Sequence, residues 1–81
     1  MRLTVHLFAL ARERAGSPTV TVNLTSTPTV ADLRHALATS CPNLAPLIPS
    51  LLVAVNSQYA RDEDPIPPNA ELAVFPPVSG G

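Results

Sequence analysis

Eighty-one residues, 46% of them hydrophobic and 14% charged, suit one compact domain with a single modest core and leave no room for a second. A net charge of −1, made with five arginines and no lysine, offers no basic stripe for a nucleic-acid backbone. The single cysteine, Cys41, rules out an internal disulfide and a thiolate zinc cluster, and the apolar runs fall far short of the roughly 20 residues that span a bilayer.

Arg2 to Phe8 alternates, with Leu3, Val5 and Leu7 on one face and Thr4, His6 and Phe8 on the other, which predicts a half-buried strand. Arg2, His6 and Arg12 interrupt any apolar leader, so a cytoplasmic location is expected. Ala9 to Ala15 holds good helix formers but is short, and Gly16 stands where a helical turn would stop. Thr19 to Leu24 alternates again through Val20, Val22 and Leu24, giving the second strand of a hairpin-like pair with a long connection. Thr29 with Asp32 three residues on forms a capping-box pattern at the start of the main helix. Val30, Leu33, Ala36 and Leu37 recur at helical spacing, and Arg34, His35 and Ala38 are expected to face away. Pro42 ends that helix, and Pro46 and Pro49 keep the following segment irregular or reduce it to a brief turn.

Leu51 to Val55 is almost continuously apolar, as an interior strand would be. Asn56 and Ser57 begin a turn, Tyr59 to Arg61 is expected to add a short strand, and Asp62-Glu63-Asp64 reads as a solvated acidic loop before the proline-rich turn of residues 65–69. Glu71 to Phe75 is the last strand, with Leu72 and Val74 in phase. The order β, short helix, β, long helix, β, short β, β fits an α+β layout, a mixed sheet of four to five strands with one main helix across one face.

The stretch after that strand is Pro76-Pro77-Val78-Ser79-Gly80-Gly81. The two prolines end strand pairing and stiffen the exit, and the small side chains beyond them are slim enough to enter a narrow channel behind a terminal carboxylate. The expected organisation is therefore a domain over residues 1–75 and a flexible tail over 76–81.

The element order resembles the β-grasp fold of ubiquitin. Three stretches resemble more specifically the small, sulfur-carrying subunits of molybdopterin synthase: Phe8-Ala9 with Arg12-Glu13 and Gly16, then Leu51 to Asn56, and Phe75 through Gly81. The resemblance implies that an E1-like partner uses ATP, with Mg, to adenylate Gly81, that a sulfur donor enzyme converts the adenylate to a thiocarboxylate, and that the tail enters the large subunit of a heterotetrameric synthase. There its sulfur would attack a cyclic pyranopterin precursor on the way to the molybdopterin dithiolene of the molybdenum cofactor. The chain would not be an enzyme on its own, because the active site would lie mainly in the large subunit. Gly16 is the one glycine outside the tail, so the chain has no glycine-rich phosphate cradle and no cofactor of its own is expected. A thiocarboxylate is ionised and nucleophilic at neutral pH, and needs no general base from this chain.

Phe8 and Phe75 each follow the buried set of their strand by one position, so both are expected on the face away from the helix. The first and last strands are neighbours in a β-grasp sheet, which would bring the two rings together as a docking patch for the large subunit, with Tyr59 a third member of undefined strand phase. Pro76, Pro77, Val78 and Ser79 would follow the patch into the partner. The other chemistry-bearing residues read as structural: Cys41 as a small hydrophobe near a helix end, His6 and His35 as residues of different elements without metal-ligand spacing, and Arg12 with Glu13 as groups fixing the short helix or its surroundings, with partner contact as the alternative. Three functions stay open: a sulfur carrier, of which a thiamin-pathway carrier is a variant; a ubiquitin-like modifier joined through Gly81 to a lysine elsewhere; and a plain interaction domain with an incidental Gly-Gly end.

Overall fold

The computed structural model describes residues 1–77; the expected tail residues Val78, Ser79, Gly80 and Gly81 lie outside the described residues. The elements are β1 (Arg2–Leu7), α1 (Ala9–Ala15), β2 (Thr19–Asn23), α2 (Val30–Ser40), 3₁₀ turns at Pro42–Leu44 and Ile48–Ser50, β3 (Leu52–Val55), β4 (Gln58–Ala60) and β5 (Leu72–Phe75). They form one five-stranded sheet in the order β2-β1-β5-β3-β4. β1 and β5 run parallel at its centre, and the remaining neighbours are antiparallel.

Period-two alternation divides each strand between two environments. Leu3, Val5 and Leu7 of β1, Val53 of β3, and Leu72 and Val74 of β5 are buried on one face, against Val30, Leu33 and Leu37 of α2. Fully burying a Leu or Val side chain is worth roughly 1.5–3 kcal/mol, so this one-sided core carries most of the stability. Ala11 of α1 and Leu44 and Ile48 of the 3₁₀ turns complete it.

α2 begins as its sequence predicts. The Asp32 N–H donates to Thr29 Oγ1 at 3.4 Å, and the Thr29 N–H donates to Asp32 Oδ2 at 2.9 Å, which closes the capping box. Asp62 and Glu63 are exposed, as expected of a solvated loop, but the acidic run is also tied down through its main chain. Its backbone takes up two further unpaired donors of the helix start, since the Val30 and Ala31 N–H groups donate to the Asp64 and Asp62 carbonyls at 3.0 and 2.9 Å. Asp64 Oδ2 accepts the Arg61 N–H at 2.8 Å.

Arg34, expected to face away, instead ties three segments together. Its Nε donates to Asp62 Oδ1 at 2.7 Å and its Nη1 to the Ile48 carbonyl at 2.6 Å, and its side chain is half-buried. Ala38, placed on the same outer side by periodicity, is half-buried against the core, whereas His35 is exposed as expected.

Positive φ values mark the corners. Gly16 (φ 74) ends α1 in the left-handed conformation, where its N–H donates to the Arg12 carbonyl at 3.0 Å. Asn56 and Ser57 (φ 51 and 70) make the two-residue β3–β4 loop, a conformation whose twist matches that of the flanking strands. Cys41 is half-buried at the C-terminal end of α2 and packs against the core.

Candidate functional site

Among the described residues no helix lies over the second face of the sheet, and the expected aromatic residues meet there. Phe8 and Phe75 stack with ring centroids 4.9 Å apart and planes 9° from parallel. Tyr59 meets Phe75 edge-on at 6.4 Å and 81°. Both geometries suit the ring quadrupole, and such pairs contribute about 0.5–1.5 kcal/mol beyond the area they bury. The pairing follows from register: Leu7, the last residue of β1, is opposite Val74 of β5, and the residues that follow them are Phe8 and Phe75. Tyr59 is opposite Ala54, and Ala54 is opposite Ala73, which resolves its strand phase onto the same face.

The rings are only partly covered. Tyr59 is 72% exposed and Phe8 45%, while Phe75 between them is half-buried. Ala54 and Ala73 form the floor of a shallow depression whose walls are Phe8, Ser57, Tyr59, Glu71 and Phe75. Two small residues at its centre leave room for a partner's side chain, and Glu71 supplies a charge at the rim. Leu52, opposite Phe75 in register, is 37% exposed on this face. Leu51 to Val55 is therefore interior in the sheet order, as expected, but the face away from α2 is not closed over Leu52; its apolar continuity comes from serving a core on one side and this open patch on the other.

Sequence reasoning missed Leu52, Ala54, Ala73 and Glu71. For the first three the signal was phase, because 73 and 75, and 52 and 54, alternate with the core residues of their strands. Pro76 is half-buried and Pro77 exposed directly after the patch, which is where the tail begins. The roles assigned to Val78, Ser79, Gly80 and Gly81 fall outside the described residues.

Arg12 and Glu13 do not fix α1 through their side chains: both are exposed and, among the described residues, form no hydrogen bond or ion pair with a side chain. The contribution of Arg12 is its carbonyl, which accepts from Gly16. Among the described residues no three His, Cys, Asp or Glu side chains cluster as metal ligands, and no helix is long and apolar enough to cross a membrane.

A mixed sheet with its first and last strands parallel at the centre, one main helix across one face, and an apolar opposite face is a β-grasp domain of the ubiquitin-like kind. The chain belongs to the ThiS family, whose model matches residues 5–81. It is 33% identical to a molybdopterin synthase sulfur carrier subunit of Arabidopsis thaliana, with 100% of this chain and 84% of the relative covered. It is 35% identical to another so named from Dictyostelium discoideum, with 93% and 91% covered. Among solved structures it is similar to SAMP1 of Haloferax volcanii, at 34% identity and a TM-score of 0.86 with each chain covered in full.

Proposed function

We propose that this chain is the sulfur carrier subunit of a molybdopterin synthase and acts in the cytoplasm. The observation that supports it most is the family match running through residue 81, with full-length relatives named as such carriers. In this reading the Gly81 carboxylate attacks the α-phosphate of ATP on an E1-like enzyme, with Mg, and displaces pyrophosphate. A sulfur donor enzyme then supplies a sulfur nucleophile that displaces AMP and leaves a thiocarboxylate. The carrier docks through Phe8, Tyr59 and Phe75 on the large subunit, and Pro76, Pro77, Val78 and Ser79 lead Gly80 and Gly81 into its active site. The thiocarboxylate sulfur attacks the cyclic pyranopterin precursor, and hydrolysis of the resulting acyl bond returns Gly81 to a carboxylate. A dithiolene holds two sulfurs, so two charged carriers are consumed for each product.

The division of labour agrees with the chemistry of the chain. Its open face is apolar and its floor is small, a surface suited to excluding water around a docked partner. A second reading, a protein modifier joined through Gly81, is favoured by the similarity to small archaeal modifier proteins. Deleting Gly81 and reconstituting the synthase tests the first reading. The expected outcome is loss of sulfur transfer with an unchanged circular dichroism spectrum; retained transfer would reject it. Lysine-linked conjugates in cell extract, without thiocarboxylate formation, would move the assignment to the modifier.

A further inference from the structure

The backbone of Phe8 is bound on both sides, although its ring is 45% exposed. Its N–H donates to the Val74 carbonyl at 3.3 Å, and its own carbonyl accepts the Ala11 N–H at 3.2 Å. One side of its backbone is thus pinned to β5 and the other to the first turn of α1. The next residue, Ala9, has φ 52, a left-handed conformation in which an alanine is strained. That single-residue corner starts α1 while Phe8 itself stays extended (φ −126, ψ 152), in phase with Thr4 and His6 on the open face.

Phe75 is paired opposite Leu52 of β3 and lies between the rings of Phe8 and Tyr59. It ends β5, and the residues beyond it are Pro76 and Pro77. Proline fixes φ and also confines the residue before it to extended conformations, so an orientation set at Phe75 is carried forward through the two prolines. The Phe8 ring lies nearly parallel to the Phe75 ring on this terminal residue.

We propose that Phe8 is a positioning residue: its ring braces Phe75 and thereby sets the direction in which the C-terminal tail leaves the sheet, beyond any contact it makes with a partner. The inference rests on the sulfur-carrier reading for its effect on rate, since misplacing a reacting group by about 1 Å costs up to roughly a hundredfold. The brace itself is a property of the free chain.

The test uses Phe8→Leu, which keeps an apolar side chain and removes the stack, with Phe8→Tyr as the conservative rescue. Ala9→Gly serves as a neighbouring control, because glycine adopts the corner conformation without strain. In the free chain, NMR follows the ring signals of Phe75 and the hydrogen exchange of its amide. Phe8→Leu is expected to shift the former and speed the latter, while Phe8→Tyr and Ala9→Gly stay near the wild type. An unperturbed Phe75 in Phe8→Leu overturns the proposal. With the thiocarboxylated chain and large subunit at a concentration that saturates the variant, so that affinity lost with the docking ring does not enter, Phe8→Leu is expected to slow single-turnover sulfur transfer by about tenfold or more. A weakened Kd with an unchanged rate at saturation makes Phe8 a contact residue only and also overturns it. Should the wild type transfer no sulfur, that failure falls on the carrier reading, and the NMR result alone decides the brace.

Discussion

The two faces of this sheet are built from the same strands and do different work. On the covered face Val5, Leu72 and Val74 are sealed under α2, with no exposed surface left. Phe8, one residue after the buried Leu7, and Phe75, one after Val74, lie on the open face, stacked on each other but with surface still available. The covered face determines whether the domain folds, and the open face is the docking surface we propose. Period-two alternation is what lets 81 residues hold both functions with little mutual interference.

The sharpest way to break this comparison is to cut into one face and measure both properties. Leu72→Ala on the covered face is expected to destabilise the fold by about 2–5 kcal/mol in chemical denaturation, while the molecules that remain folded bind the large subunit as before. Phe75→Ala on the open face should reverse the pattern. Its binding to the large subunit is expected to weaken by about 1–4 kcal/mol by calorimetry, with a smaller loss of stability than for Leu72→Ala. Unchanged affinity would remove Phe75 from the interface.

Much of this was legible in the sequence, because the strongest signals were periodic. Leu3, Val5 and Leu7, the capping pair Thr29 and Asp32, and Gly16 each act where the pattern placed them. The stacking of Phe8 on Phe75 followed from strand phase once β1 and β5 were taken as neighbours, and that neighbourhood came from the resemblance to the β-grasp fold. What periodicity does not carry is long-range polar pairing. Arg34 looked solvent-facing because its partners, Asp62 and the Ile48 carbonyl, are 28 and 14 residues away. The docking of residues 62 and 64 on the start of α2 was hidden for the same reason, as backbone carbonyls carry no sequence signal.

Smaller changes sharpen the contrast. Thr29→Ala removes the cap that starts α2 and is expected to cost about 1 kcal/mol of stability in thermal or chemical unfolding, with no change in large-subunit affinity, since the helix lies on the covered side. The least effect is expected from Ser57→Gly in the β3–β4 loop. Glycine takes up φ 70 without the strain a serine bears there, but it loses more freedom on folding, so the net gain is roughly 0.5 kcal/mol. A destabilised Ser57→Gly variant would mean that the serine side chain supports the edge of the open-face depression.

The central claim concerns Gly81, and the intact mass of the chain tests it most directly, after incubation with ATP, a sulfur donor and the host's activating enzyme and with fragmentation of the C-terminal residues. Fragmentation is needed because oxidation of Met1 or Cys41 adds nearly the same mass as exchanging oxygen for sulfur. The account predicts a sulfur-for-oxygen exchange confined to Gly81. An unmodified Gly81, with the activating enzyme competent on another carrier, would contradict it.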